Sequence, residues 1–182
     1  PKISVECGAF NEEANVLELY ERIVGAFKDL DYLFEIIVID NASTDRTVEH
    51  LREIARDDKR LKVIVNATNF GHVRSPYYAL LQAKGDAVVF MASDLQDPPE
   101  LIPEYLKKWE SGSKIVLAVK TQSSENWVMK SLRSFYYKLL SLVSNESMVQ
   151  NATGAGLFDQ RVIETLRALE DPLPYFRGPV SY

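Results

Sequence analysis

The stretch Val88-Val-Phe-Met-Ala-Ser-Asp-Leu-Gln-Asp-Pro-Pro-Glu100 turns from an apolar run into acidic and amide side chains within a few residues. Val88 to Met91 reads as a buried strand, rich in β-formers and punctuated at its start by Gly85-Asp86. That strand delivers Asp94 and Gln96 to a sheet edge. On an extended chain their side chains project to the same side and offer hard oxygen ligands to Mg2+ or Mn2+, while Asp97 points elsewhere. Pro98 and Pro99 stop strand pairing, and Pro99 suits the first turn of a helix from Glu100 to about Trp109. Open α/β sheets bind ligands at such strand-to-helix switches. Asp94 and Asp97 read equally well as caps, because Asp ahead of a helix satisfies its first amides.

Upstream, strand and helix patterns alternate. Ile3 to Ala9 is a strand interrupted by Glu6, with Gly8 freeing the backbone before Phe10-Asn-Glu-Glu13. From Asn15 to about Leu30, Val16, Leu19, Tyr20, Ile23 and Phe27 recur at helical spacing. Phe34 to Ile39 is a second strand ended by Asp40-Asn41, and Asp45 caps a helix whose Val48, Leu51 and Ile54 face inward. Leu61 to Val65 is a third strand. Between it and a helix from Pro76 to Ala83, an extended Asn69-Phe-Gly-His-Val-Arg74 would set His72 and Arg74 on one side, facing either a diphosphate or solvent. Downstream come a strand from Lys114 to Val119, a polar loop to Asn126 and an amphipathic helix from Trp127 to Val143. Asn151 to Gln160 is turn-rich. There Gly154 and Gly156 would let backbone approach a sugar, and Asp159 opens a helix to Leu169. The order predicts an α/β domain, a mainly parallel central sheet flanked by helices on both faces.

Composition narrows the function. With 182 residues, 46% of them hydrophobic, the chain suits one domain spanning 1–182. A net charge of -5 argues against a nucleic-acid partner, since phosphate neutralisation needs surplus Lys and Arg. Cys7 is the single cysteine, so no internal disulfide forms and a reducing compartment is expected. No apolar run is long enough to span a bilayer, and the start lacks a signal pattern. The Asn-x-Ser/Thr triplets at Asn41, Asn66, Asn145 and Asn151 are therefore read as chance matches. Neither the dinucleotide Gly fingerprint nor a Gly-Lys-Ser/Thr phosphate loop is present. The Trp127 to Val143 stripe suits packing on the sheet or peripheral membrane contact, and self-association stays open.

Taken in order, Phe10-Asn-Glu-Glu13, Ile39-Asp-Asn-Ala-Ser-Thr-Asp45 and Ser93-Asp-Leu-Gln-Asp-Pro-Pro-Glu100 resemble the inverting family 2 glycosyltransferases, which have the GT-A, Rossmann-like fold. Within them the chain is most similar to the branch of bactoprenol-phosphate glucosyltransferases and dolichol-phosphate mannose synthases. The resemblance implies a nucleotide held by Gly8, Phe10, Glu12, Asp40 and Asn41, with His72, Arg74, Ser93 and Asp94 toward its phosphates. It implies Mg2+ or Mn2+ on Asp94 and Gln96, catalysis by Asp94, Asp97 and Arg133, and sugar or acceptor contacts from Gly154, Asp159 and Arg177. Four positions depart from the pattern. Many members have Asp at the positions of Ala92, Asn41 and Gly154, and Lys near His72. Ala92 predicts weak metal affinity unless phosphate oxygens complete the shell, and a cationic role for His72 would be pH-sensitive.

The implied donor is a UDP-sugar, with a GDP-sugar as alternative. The implied acceptor is a polyprenyl phosphate rather than a saccharide hydroxyl. A phosphate is already a nucleophile, whereas a hydroxyl needs a base, for which Asp97 and Asp159 are the candidates. Such proteins continue past the position of Tyr182 with a basic segment and membrane helices. The chain is thus expected to be a catalytic domain truncated before them, working at the cytoplasmic face of the membrane. A nucleotidyltransferase would be expected to carry a basic Gly-rich loop where Gly8-Ala-Phe-Asn-Glu stands without Lys or Arg. A non-catalytic sugar-nucleotide-binding module remains the alternative.

Overall fold

A computed structural model describes residues 1–119 and 152–169. The predicted helix from Trp127 to Val143, with Arg133, and the position of Arg177 lie outside the described residues. The elements are β1 (Lys2–Ala9), α1 (Val16–Ala26), β2 (Leu33–Asp40), α2 (Thr47–Asp57), β3 (Leu61–Val65), α3 (Gly71–Gln82), β4 (Ala87–Ala92), a 3-10 turn (Pro99–Leu101), α4 (Ile102–Glu110), β5 (Ile115–Val119), β6 (Ala152–Asp159) and α5 (Gln160–Ala168). The strands form one sheet in the order β3-β2-β1-β4-β6-β5. β1 pairs in parallel with β2 and with β4, and β2 with β3. β6 runs antiparallel between β4 and β5. The mainly parallel α/β architecture read from the sequence is the one observed.

Both faces of the sheet are buried, so alternate strand residues feed separate cores. On one face Ile3, Val5, Cys7, Ile36, Val38, Val89 and Met91 pack with Leu19 and Ile23 of α1, Leu51 of α2 and Ile102 and Leu106 of α4. On the other, Ile37, Ile39, Val88 and Phe158 pack with Ala79 and Leu80 of α3 and Ile163 and Leu166 of α5. Phe27, expected inside a longer α1, instead follows the helix and stacks on Phe34 with ring centroids 4.3 Å apart. Asp45 behaves nearly as expected, accepting from the Thr47 amide at 3.0 Å as α2 starts.

Two segments differ from the sequence reading. Ala152–Asp159, expected within a turn-rich stretch, is strand, and it enters the sheet where Gly156 lies against β5. A Cβ at Gly156 would sit 2.2 Å from the Val116 carbonyl oxygen, so the glycine serves strand packing and not a sugar. Gly8 likewise stands inside β1, where a Cβ would meet Pro76 Cγ at 2.8 Å, and its bare backbone seats α3. The other difference is α3, which starts at Gly71 and runs through Pro76 instead of beginning there.

Polar groups inside the sheet are treated unequally. Glu35 is buried but receives Ser4 Oγ at 2.7 Å and the Lys2 and Lys62 ammonium groups. Burial pushes its pKa up, yet those bonds prevail and hold it down to about 2. Glu6 is fully buried, its carboxyl oxygens have no partner among the described residues, and burial raises its pKa well above the ordinary range. The folded state therefore keeps Glu6 as the neutral acid. With the folded pKa above the unfolded one, this stabilisation is complete below the ordinary carboxylate range and is lost as pH rises through the folded value. The melting temperature should fall as pH is raised above the ordinary carboxylate range, with stability declining by about 1.4 kcal/mol per pH unit until the folded carboxyl ionises. Glu6→Gln should flatten the profile; an unchanged slope in denaturant titrations across that range would remove Glu6 as its cause.

Candidate active site

Parallel pairing brings the carboxyl ends of β1, β2 and β4 to one edge, and a cleft of about 720 Å³ opens there. Gly8, Phe10 and Glu12 line it from β1 and the loop beyond, Asn41 from β2, Gly71 and His72 from α3, Asp97 from the turn after β4, and Gly154 from β6. Seven of these, all but Gly71, are expected site residues, and they meet at one place. Phe10 is 46% exposed and offers an aromatic wall at the mouth.

The loops after β1 and β2 are latched to each other. The Asn11 amide donates to Ser43 Oγ at 2.9 Å, and Asn11 Oδ1 accepts from the Thr44 amide at 2.8 Å. The Glu12 amide donates to Thr47 Oγ1 at 2.8 Å, while Glu13 exchanges bonds with Asp45 and the Arg46 amide. The latch forces Ala42 to φ 64°, a left-handed conformation that an L-residue with a Cβ resists. Beside it, Asp40 is fully buried. Its Oδ2 accepts from the Ser43 amide at 3.0 Å, but Oδ1 has no partner among the described residues. A buried lone acceptor of this kind is costly unless a ligand donor meets it. Asn41 is the reverse case, because every polar atom of its amide is engaged inside the protein.

The turn after β4 departs from the extended geometry expected of it. Leu95 has φ 59°, and Asp94 Oδ1 accepts from the Gln96 amide at 3.1 Å, so the chain folds back between Asp94 and Gln96. Their side chains are exposed and do not form the paired set expected of an extended chain. Ser93 is buried and donates its hydroxyl to the Gly8 carbonyl at 2.9 Å, which ties the end of β4 to β1. Asp97, expected to point away, lines the cleft together with Glu12; it is 8% exposed and accepts no hydrogen bond from the described residues. Burial, aided by the charges of Asp97 and Glu104, pushes the nearby Tyr105 phenol up to about 12.

Asp40, Ser93, Asp94 and Gln96 are not among the residues lining the cleft, and two further expected residues fall elsewhere. Arg74 is exposed on α3 outside the cleft lining, because the helix has replaced the extended stretch that would have aligned it with His72. Asp159 pairs in register with Ala87, at the opposite end of β4 from the cleft. It caps α5 through the Arg161 amide at 3.1 Å and accepts from Trp109 Nε1 and Lys114 Nζ. Those bonds outweigh burial and hold its carboxyl below the ordinary range. Ser75 and Asn69 line the cleft without having been expected there; the local sequence gives no sign that they share an edge.

A divalent ion was expected at this site. Among the described residues no group of three or more His, Cys, Asp or Glu side chains could hold a metal. Asp94 keeps one carboxylate oxygen that accepts no bond from the described residues, and Ala92 ends β4 without a ligand. The donor set fits a hard cation only where diphosphate oxygens complete the shell.

A mainly parallel α/β sheet with a cleft at the carboxyl ends of its strands, lined by Glu12 and Asp97, defines a ligand-binding α/β domain. The chain belongs to the family described as Glycosyl transferase family 2, whose model matches residues 5–167. It is 33% identical over 180 residues to the uncharacterized glycosyltransferase YkcC of Bacillus subtilis (strain 168), covering 98% of this chain and 56% of that one. It is 30% identical over 183 residues to the bactoprenol glucosyl transferase of Shigella phage SfV, covering 100% and 59%. The chain thus spans little more than half the length of these relatives. Among solved structures, the glucosyl-3-phosphoglycerate synthase of Mycobacterium tuberculosis in complex with Mn2+, UDP and phosphoglyceric acid is 26% identical, with a TM-score of 0.62 over 88% of this chain and 56% of that one. The mannosyltransferase PcManGT from Pyrobaculum calidifontis, in complex with GDP-Man and Mn2+, shares the fold at 22% identity and a TM-score of 0.63, covering 91% and 46%. No helix among the described residues is long and apolar enough to cross a membrane.

The latch itself is testable. Ala42→Gly should relieve the left-handed strain and raise stability by about 0.5–1 kcal/mol after the added chain entropy of glycine. Urea unfolding measures it, and a loss of stability would mean that the strain is not carried there.

Proposed function

We propose that this domain transfers a sugar from a nucleoside diphosphate, a UDP-sugar in preference to a GDP-sugar, to a polyprenyl phosphate with inversion at the anomeric carbon. The observation that carries the reading is Asp40 Oδ1, a buried acceptor beside the cleft that a base N–H or ribose hydroxyl would satisfy. Phe10 would stack on the base and Glu12 would approach the nucleoside. The UDP and Mn2+ of the Mycobacterium structure support the donor and a divalent ion, and the bactoprenol glucosyl transferases support the acceptor. Asp94, with Gln96 nearby, would hold Mg2+ or Mn2+ together with the diphosphate. When bound, the ion supplies charge that offsets the departing diphosphate.

The chain's own groups set the rest of the chemistry. An acceptor oxygen attacks the anomeric carbon from the face opposite the diphosphate; the bond to the diphosphate breaks and the configuration inverts. Asp97 sits in the cleft as a carboxylate that stabilises positive charge developing on the sugar. Arg133 and Arg177 are assigned to the acceptor phosphate, Gly154 to the sugar and His72 to the donor phosphates. The domain would work at the cytoplasmic face of the membrane, as part of a longer protein. One observation favours a saccharide acceptor instead: unbonded Asp97 has the placement of a general base for a hydroxyl.

Titration calorimetry with UDP, GDP, UDP-glucose and GDP-mannose, each with and without Mn2+, should give metal-dependent binding of one nucleotide. Asp97→Asn should leave that affinity within about twofold and lower kcat by about 10²-fold or more. Turnover on a soluble sugar with none on polyprenyl phosphate would reverse the choice of acceptor, and the absence of any nucleotide binding would defeat the reading.

A further inference from the structure

We infer that Asn41 is a positioning residue. It builds the wall of the cleft formed by the β3–α3 loop and the first turn of α3, and makes no contact with the nucleotide itself. This rests on the nucleotide reading above and refines it. Asn41 sits at the end of β2, its backbone fixed by the Ala9 carbonyl at 2.9 Å. The residue is 7% exposed, and its side-chain donors and acceptors are matched atom by atom.

Asn41 Oδ1 accepts from the Phe70 amide at 2.9 Å and from Asn66 Nδ2 at 3.2 Å. Asn41 Nδ2 donates to Asn69 Oδ1 at 2.8 Å and to the Gly71 carbonyl at 3.2 Å. A primary amide has two donor hydrogens and two acceptor lone pairs, so nothing is left for a ligand. The network extends further. Asn69 Oδ1 also accepts from the Gly71 amide at 2.8 Å, and Asn66 Nδ2 donates to Ser75 Oγ at 2.8 Å. Phe70, at the cap position of α3, supplies no capping side chain of its own. An amide from β2 therefore does the organising work that a local Ser or Asp does at most helix starts. What it organises is the cleft wall, since Gly71 and His72 line the cleft immediately after the residues Asn41 holds.

The chemistry distinguishes amide from acid at this position. A carboxylate at 41 would keep the bond from the Phe70 amide but would face the Asn69 oxygen and the Gly71 carbonyl as acceptor against acceptor. Alanine would release both sides.

The test combines amide hydrogen exchange by NMR on the ligand-free protein with UDP titration in the presence of Mn2+. In Asn41→Ala the Phe70 and Gly71 amides should exchange roughly tenfold faster relative to the core amides of β2, and UDP should bind roughly tenfold more weakly. In Asn41→Asp the carboxylate should repel Asn69 Oδ1 and so release the Gly71 amide that Asn69 holds, while Phe70 stays protected, with an intermediate loss of affinity. A purely structural residue would change core and loop amides by one common factor and leave UDP affinity alone. Loss of affinity with both amides still protected would show direct contact with ligand and overturn the inference. If the wild type bound no nucleotide, the functional reading would fail, while unchanged exchange at Phe70 and Gly71 in Asn41→Ala would separately sink the positioning role.

Discussion

The pairing of β1 in parallel with β2 on one side and β4 on the other is the constraint from which the rest of the molecule follows. β1 is covered on both faces, so a one-residue slip would exchange Ile3, Val5 and Cys7 with Ser4, Glu6 and Gly8 and spoil both cores at once. Register is therefore fixed. Fixed register aligns Ala9 with Asp40 and Gly8 with Ala92, and three strand ends reach the same level of the sheet. Every loop that lines the cleft leaves from that level or abuts it.

In and around the cleft, polar groups divide by whether the protein itself has already used them. Ser93 is committed to the Gly8 carbonyl, Asp45 to the start of α2, and Asn41 to the β3–α3 loop. These build walls. Asp40 keeps one buried oxygen unpaired, Asp97 keeps its carboxylate, and Phe10 keeps an exposed ring. Native interiors seldom leave such groups unsatisfied without a reason, and a ligand is the commonest reason at a sheet's carboxyl edge.

The division also explains what the sequence discloses. Apolar runs such as Ile36 to Ile39 and Val88 to Met91 need only local pattern to be read as strands, whereas the family resemblance, and not spacing, assigns Phe10, Asp40 and Asp97 to one site. β6 escaped because Gly154 and Gly156 carry a turn signature; only the closeness of β5, distant in sequence, turns Gly156 into a strand residue. The start of α3 escaped for a similar reason: Pro76 marks a helix start by local rules, whereas the groups that begin it come from Asn41. Asp159 has the local look of either a cap or an acid. Pairing with Ala87 decides it, and no window of sequence contains that pairing. The alternation argument for Asp94 and Gln96 failed at one residue, Leu95, whose positive φ breaks the extended chain on which it depended.

That failure bears on how a metal would be held. An extended Asp94 and Gln96 would form half of a preformed site, able to bind a cation before any nucleotide arrives. The folded-back turn, with Ala92 beside it, supplies too few oxygens for that. On the proposed reading the diphosphate contributes the missing ligands, so cation and nucleotide each complete the other's site. Coupling of this kind is reciprocal by thermodynamic necessity: whatever factor the nucleotide adds to metal affinity, the metal adds to nucleotide affinity. A site built this way remains open until both are present, and the carboxylate of Asp97 then faces a filled cleft instead of water.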